Sequence, residues 1–419
     1  MLIIGHCILN TKLKVLTKNK KILIVTELFY PEEFKINDVA LSWKGKGYDV
    51  DVLTLTPTYP LGEIFPSYKN GLFQKSEYQG INIFRLYAVT GYRDSVIKKI
   101  LKYINFMVLG SIAAIIFGRK YDYVFGFNMS ALTSILPAVI IRKLYKKPTM
   151  LWVQDVWPDS VYAYGFKKTK ILSVALDIFV RFIYRNIDAI AISGKGFESK
   201  LAPYIGGDLI YHYLPNWADD LDENLVPADL GKVDGVTHFT FAGNVGKMQN
   251  LENIVVAFSL LSNEYQNKSQ LNIIGDGSNL EHLKLVATNS SNIIFHGKKP
   301  RSNMASYYMS SDFLIISLVD EPIFSVTVPA KTQTYIAAKK PILAIIKGDT
   351  ATIVKDYNLG LCADPSNTNT IAKMFQKCVD MSQSEREFFT SGNDHLLATI
   401  FNKKKIIDRL LKILTRRIK

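Results

Sequence analysis

The chain has 419 residues, 48% of them apolar and 21% charged, a balance that excludes a disordered or fibrous protein and leaves room for two folded domains. A net charge of +14, from 51 Lys and Arg against 37 Asp and Glu, predicts anionic partners: phosphates, an anionic lipid leaflet or nucleic acid. Cys7, Cys362 and Cys378 are too few and too scattered for a disulfide framework or a zinc site, and they fit a reducing compartment.

The opening MLIIGHCILN has an apolar patch, but neither a preceding basic region nor a small-residue cleavage site. Residues 1–20 are therefore read as an N-terminal extension. From Lys21 the chain alternates short β-branched runs with helix-length segments. KILIVT (Lys21–Thr26), DVDVLTL (Asp49–Leu55), DYVFGF (Asp122–Phe127), TMLWV (Thr149–Val153) and DAIAIS (Asp188–Ser193) read as buried parallel strands. The loop after the first strand, TELFYPEEFKINDVA, carries Glu27, Glu32 and Glu33. Asp49 and Asp51 have the spacing of a metal-binding Asp-x-Asp, but they lie within an alternating strand.

VIKKILKYINFMVLGSIAAIIFGRK (Val96–Lys120) admits two readings. One is a buried helix of the first domain. The other is a helix half sunk in a membrane interface, with Lys98, Lys99 and Lys102 on anionic headgroups. Its apolar run from Ile104 to Phe117 falls short of the roughly 20 residues that a membrane span requires. In WVQDVWPDSVYAYG, Gln154 and Asp155 sit at the carboxyl end of a strand, and Asp159 or Ser160 is a candidate cap for the next helix. Asp155 is the residue positioned to orient or deprotonate a substrate hydroxyl.

After YLPNW (Tyr213–Trp217) a polar, acidic stretch reads as an interdomain linker, and the strand pattern restarts. HFTFAG (His238–Gly243), LNIIG (Leu271–Gly275), NIIFHG (Asn292–Gly297), DFLIIS (Asp312–Ser317) and PILAII (Pro341–Ile346) follow. The first ends in AGNVGKMQN, where Gly243 and Gly246 permit close backbone approach and Asn250 is a candidate cap for an amphipathic helix. Free N–H groups and the helix dipole at such a start favour an anion. IIGDG, FHGKKP and VPAKTQTYIAAKKPIL, with Asp276, Lys298 and Lys331, open at the neighbouring strand ends. The expected architecture is α/β, with two Rossmann-like, doubly wound domains (21–215 and 216–395) facing each other across a cleft that holds ligand at the strand carboxyl ends. The tail from 396 to 419 reads as a basic amphipathic helix with Ile406, Leu410, Ile413 and Leu414 on one face, lying back on the first domain, on lipid, or on both. No metal-ligand constellation appears among the dispersed histidines, and only His296 lies at a cleft-facing strand end. The basic residues lack the interleaved aromatics of a nucleic-acid stacking platform, so nucleic acid is not an expected partner.

The order FYPEEF, GYDVDVLTLTPTYPLG, WVQDVWPDS, LPNW, AGNVGKMQNLENI, IIGDG, FHGKKP, VPAKTQTYIAAKKPIL resembles that of family 4 glycosyltransferases, from about Lys21 to about residue 365. More narrowly, it is similar to the bacterial subgroup of O-antigen fucosamine transferases and colanic-acid glycosyltransferases. The resemblance implies a GT-B fold and a retaining transfer that needs no metal or other cofactor, a UDP-sugar being the substrate. The implied donor sugar is an N-acetylated deoxyhexose. The implied acceptor is a saccharide on polyprenyl diphosphate, in O-antigen or capsule assembly at the cytoplasmic face of the plasma membrane, where the protein would sit peripherally. Lys331 and Lys247 are then the expected cations at the diphosphate, with Gly243, Asn244 and Gly246 as backbone donors. Asp155 would orient the acceptor. Asp276, Lys298 and Thr334 would line the nucleotide side, with Gln249, Gln154 and Glu27 as further substrate contacts. The chain departs from the usual pattern at several of these positions. Asn244 and Gln249 stand where many relatives have Arg and Lys, Thr334 and about Val326 stand where many have glutamates, and Gln154-Asp155 replaces His-Asp. Two competing readings are a GT-B-shaped nucleotide-sugar epimerase and a non-catalytic, membrane-associated subunit.

Overall fold

The computed structural model describes residues 19–416 except 93–94, 130, 164, 207–210, 219–220, 222–224, 232–234 and 289. The expected N-terminal extension lies outside the described residues, apart from Asn19 and Lys20. Eight strands form the first sheet: β1 (Lys21–Val25), β2 (Asp49–Leu55), β3 (Phe73–Tyr78), β4 (Ile81–Leu86), β5 (Tyr123–Asn128), β6 (Thr149–Val153), β7 (Ala189–Ile192) and β8 (Tyr211–Tyr213). Their order is β3-β4-β2-β1-β5-β6-β7-β8. Alternation explains why β1 is apolar from Ile22 onward: Ile22 and Ile24 enter a core with Trp43, Phe125 and Trp152, while Leu23 and Val25 enter another with Leu132, Ile135 and Val153. A strand covered on both faces has no polar side to show.

The sheet is not wholly parallel, as the sequence pattern had suggested. β3 runs antiparallel to β4 at the edge, joined through Gln79 and Gly80, both with positive φ. Its FQKSEY sequence alternates in exposure, because one face of an edge hairpin stays in solvent, and that masks it among polar loops.

The second sheet is six-stranded and parallel throughout, with β9 (Thr237–Ala242), β10 (Ser269–Ile274), β11 (Ile293–Gly297), β12 (Phe313–Ser317), β13 (Ile342–Ile345) and β14 (Gly360–Ala363) in the order β11-β10-β9-β12-β13-β14. In both sheets the chain winds outward and then returns beside its first strand, so β1/β5 and β9/β12 are the two switch points. Crevices open at the carboxyl ends of such strand pairs.

The C-terminal helix spans Lys403–Thr415, capped by the Asn402 side chain, and it crosses back onto the first sheet. Ile406, Ile407, Leu410, Leu411, Ile413 and Leu414 are all buried there, so its apolar face is occupied by protein rather than lipid. Trp43 Nε1 donates to the Ile407 carbonyl (3.4 Å), Lys46 pairs with Asp408, and Lys403 pairs with Asp38 (3.1 Å). Trp217 of LPNW stacks on Trp152 and donates to Asp38, which makes that motif a joint between the lobes.

Candidate active site

At the end of β9 the turn through Gly243 is shaped by close backbone approach. Gly243 has φ +142° and donates to the Ile274 carbonyl (2.8 Å). Gly275 beside it has φ +143°, and a Cβ there would fall 1.8 Å from the Gly243 carbonyl oxygen. The Gly275 N–H in turn reaches the Gly297 carbonyl (2.9 Å), so glycines draw the ends of β9, β10 and β11 together. Val245 donates to the Asp276 carbonyl (2.9 Å), and the Asp276 carboxylate accepts from Gly277 N–H (2.8 Å).

Asn250 does not cap the helix Leu251–Ser259. It adopts the left-handed conformation, and its amide donates to the Pro365 carbonyl (2.8 Å). The long-range bond wins over the local one.

A cavity of about 710 Å³ opens above this junction. Of the residues expected from sequence, Gly243, Asn244, Asp276 and Lys298 line it. Lys299 and Arg301 join them, as do Tyr59, Pro60 and Leu61 from the first lobe. Those five were not singled out, although the run GKKPR carries three cations at one strand end.

Lys331 stands beside the cavity, at the first residue of the helix Lys331–Ala337. Its ammonium lies 3.7 Å from the centre of the Phe241 ring and 3.5 Å from Gln249 Oε1. A Cβ on Gly243 would lie 2.8 Å from Lys331 Nζ, so lysine and glycine backbone share one small volume. Burial without a carboxylate partner lowers the Lys331 pKa to about 7. An anion at Gly243 would restore its full charge.

Three expected residues do not line the cavity. Lys247 is exposed on a short turn. The Thr334 hydroxyl is hydrogen-bonded back to the Ala330 carbonyl (3.2 Å), and Gln249 acts through Lys331. Val326 packs beneath Gly194 and Gly196, at the contact between the lobes.

The first lobe supplies a second cavity of about 700 Å³, whose lining includes Asp155, Lys99 and Lys102. Burial raises the Asp155 carboxyl to about 6, an effect only partly offset by the Ser160 hydroxyl and the Val156 N–H (3.0 Å). Tyr59 and Pro60 line both cavities, so this turn is their common wall. Glu32 holds it in place: its buried carboxylate accepts from the N–H groups of Thr58 (3.0 Å), Tyr59 (2.8 Å) and Phe29 (3.3 Å). In the sequence Glu32 is only one of three glutamates in the loop after the first strand, and the fold reveals its task.

Glu27 is buried at the end of β1, where its carbonyl accepts from the Thr54 hydroxyl (2.9 Å). Gln154 Oε1 accepts from Asn216 (2.8 Å) and so serves the interlobe joint. His296 turns to Asn272 within the sheet (2.8 Å), and Asp51 is taken up by Asn82, Tyr121 and Lys120. Across the cleft Arg301 pairs with Glu33 (3.1 Å), and the Gly196 N–H donates to Asp349 (2.7 Å).

Two doubly wound lobes with their strand ends turned to a shared cleft constitute the GT-B fold, the class to which this architecture belongs. Residues 222–414, a little under half of the chain, match the family Glycosyl transferases group 1, and the protein is a glycosyltransferase. It is similar to the probable glycosyltransferase WbjE of Pseudomonas aeruginosa, at 26% identity over 278 residues covering 64% of this chain and 68% of that protein. The putative colanic acid biosynthesis glycosyl transferase WcaI of Escherichia coli (strain K12) is 23% identical over 258 residues, 58% of this chain and 61% of that protein. Among solved structures, the E. coli trehalose-6-phosphate protein bound with UDP-2-fluoro glucose superposes with a TM-score of 0.74 at 9% identity, covering 95% of this chain and 99% of that one.

Proposed function

We propose that the protein transfers a sugar from a UDP-sugar, an N-acetylated deoxyhexose, to a saccharide on polyprenyl diphosphate, with retention at the anomeric carbon. The reaction belongs to O-antigen or capsule assembly at the cytoplasmic face of the plasma membrane. One observation carries this reading: a cation-lined cavity of the second lobe and an apolar cavity of the first lobe meet at the Tyr59–Pro60 turn. A donor in the former and an acceptor in the latter would meet at that wall. The relatives support the pathway, one being named for colanic acid biosynthesis, and the structural neighbour supports the donor class.

In this reading the expected Gly243 donor is lost, since its N–H is committed to the Ile274 carbonyl, and the diphosphate is received by the Asn244 N–H together with Lys331, Lys298 and Lys299. Their charge serves a transfer that uses no metal. The leaving phosphate takes the proton of the attacking hydroxyl on the same face of the sugar, and ionised Asp155 orients that hydroxyl. Positioning and charge stabilisation then carry most of the rate.

The test is incubation of purified protein with a panel of UDP-sugars and a polyprenyl-diphosphate saccharide, following UDP release and extension of the lipid-linked sugar. Extension with one donor is the expected result. Absence of transfer across the panel by folded, UDP-binding protein overturns the reading, as does an altered UDP-sugar formed without acceptor.

A further inference from the structure

Two segments of the sequence pair an apolar face with lysines, and they meet different fates. The C-terminal helix spends its apolar face inside the first lobe. The helix Val96–Phe117 does not. It buries Lys102, Phe106, Gly110, Ala113 and Ala114, while Ile97, Leu101, Ile104, Val108, Ile112 and Ile115 form an outward stripe at helical spacing. A second helix, Lys170–Tyr184, repeats the pattern with Ile171, Val174, Ile178 and Phe182 turned outward. Ile97 is 71% exposed and Ile171 85%. Nearly half of the large apolar side chains exposed among the described residues lie on these two helices. Such a surface is one that a partner covers.

The two stripes belong to one side of the molecule. Both helices send their buried residues into the same core, Phe106, Ala113 and Ala114 from one and Val180, Ile183 and Tyr184 from the other. Both also line the first-lobe cavity, with Ile100 and Ile104 on one side and Leu172 and Leu176 on the other.

Charge decides what covers them. Val96–Phe117 contains no Asp or Glu, and the one acid of Lys170–Tyr184, Asp177, is paired with Arg181 (2.8 Å). Lys98 in the first turn of one helix, and Lys167, Lys168 and Lys170 at the start of the other, are exposed. A second copy of the chain would set these cations against one another, in a protein whose net charge is already +14. An anionic lipid surface accepts both features, since acyl chains take the stripes and headgroups take the lysines. Length alone would let the first helix cross a bilayer, because its 22 residues rise about 33 Å. Its inner face forbids that. A Cβ on Gly110 would fall 2.7 Å from Pro137 Cγ, and one on Gly118, just beyond its end, 2.6 Å from Ile141 Cγ1. The helix is seated too closely on its neighbour Leu136–Tyr145 to leave the lobe.

We propose that the two helices form a single docking face that lies in the interface of an anionic phospholipid leaflet, with the first-lobe cavity opening at the lipid between them. The proposal rests on the peripheral membrane placement in the reading above, and it adds which surface makes the contact and the lipid charge it needs. A lipid-borne acceptor would then reach the cavity of Asp155 without leaving the bilayer.

Flotation of the purified protein with lipid vesicles tests it. Vesicles of phosphatidylcholine with phosphatidylglycerol are expected to bind about tenfold or more tighter than phosphatidylcholine alone, and added salt should erase most of that difference. Val108→Ser/Ile112→Ser on one helix and Val174→Ser/Ile178→Ser on the other are each expected to weaken vesicle binding about tenfold or more. Lys168→Gln/Lys170→Gln should narrow the gap between the two vesicle types. None of these residues lines either cavity, so unchanged UDP affinity reports that the variants are folded. Leu285→Ser, on the second lobe and 74% exposed, should leave vesicle binding as it was. Equal binding to both vesicle types, indifference to the change on either helix, or a dimer in sedimentation velocity that the Ser variants dissolve overturns the proposal. Transfer to a detergent-dispersed acceptor by protein that ignores vesicles sinks the face and leaves the function. Vesicle binding that the Ser variants lose, without transfer to any acceptor, leaves the face and sinks the function.

Discussion

The Lys331 ammonium occupies the space that a side chain on Gly243 would need: an added Cβ would lie 2.7 Å from Lys331 Cε and 2.8 Å from Nζ. The glycine therefore serves two ends. It permits φ +142°, and it leaves the Lys331 side chain room to lie against the turn. Gly243→Ala would displace the lysine and strain the turn. UDP affinity is expected to fall at least about tenfold, with a loss of about 1–3 kcal/mol in stability from the backbone alone. Calorimetric titration with UDP and a melting curve read the two effects separately.

In the proposed reading, Lys331 and Asp155 set a narrow working range in the free enzyme, and the following limbs are expected. Below about 6 Asp155 takes up a proton and no longer accepts a hydrogen bond from the acceptor hydroxyl. Above about 7 Lys331 loses its charge and its hold on the diphosphate. The profile of kcat/KM for the donor is expected to be bell-shaped with limbs near those values. Bound diphosphate favours the charged lysine, so the alkaline limb of kcat should move upward and UDP binding above pH 7 should take up protons. Calorimetry in buffers of different ionisation enthalpy measures that uptake. A profile flat from pH 5 to 9 would remove both residues from the site.

Asp155→Asn keeps the shape and removes the charge. Turnover is expected to fall by about 10²–10⁴, with donor KM little changed, because the carboxylate lines the first-lobe cavity proposed for the acceptor. The acid limb near 6 should vanish from the residual activity. An unchanged acid limb would assign it to another group.

Much of this site was legible in the sequence because Gly243, Asp276, Lys298 and Lys331 all lie at carboxyl ends of strands or at helix starts, and strand order follows from βαβ winding. What the sequence hid was long-range. Glu32 meets Thr58 and Tyr59 only because β1 and β2 are neighbours, and Tyr59 reaches the second lobe only because the lobes face each other. Lys247, adjacent in sequence to the turn, points outward, while Lys331, 82 residues from Gln249, lies beside it. The β3–β4 hairpin was missed for a different reason, since a half-exposed edge strand lacks the apolar run by which buried strands announce themselves.

The C-terminal helix supplies the last prediction. Leu410 is fully buried, in one cluster with Trp43, Phe127 and Trp152, although its helix follows the second lobe in sequence. Leu410→Ala removes side-chain volume from that core and is expected to cost about 2–5 kcal/mol. Lys412→Ala, on the solvent side of the same helix, should stay within about 0.5 kcal/mol of the parent. Urea unfolding with unchanged slope and a lower midpoint for Leu410→Ala alone is the expected result. In the proposed reading UDP rests on the ends of β9 to β11 and on Lys331, so its affinity should survive in both variants. If Leu410→Ala abolished UDP binding at full stability, the helix would be coupling the lobes rather than completing the core of the first.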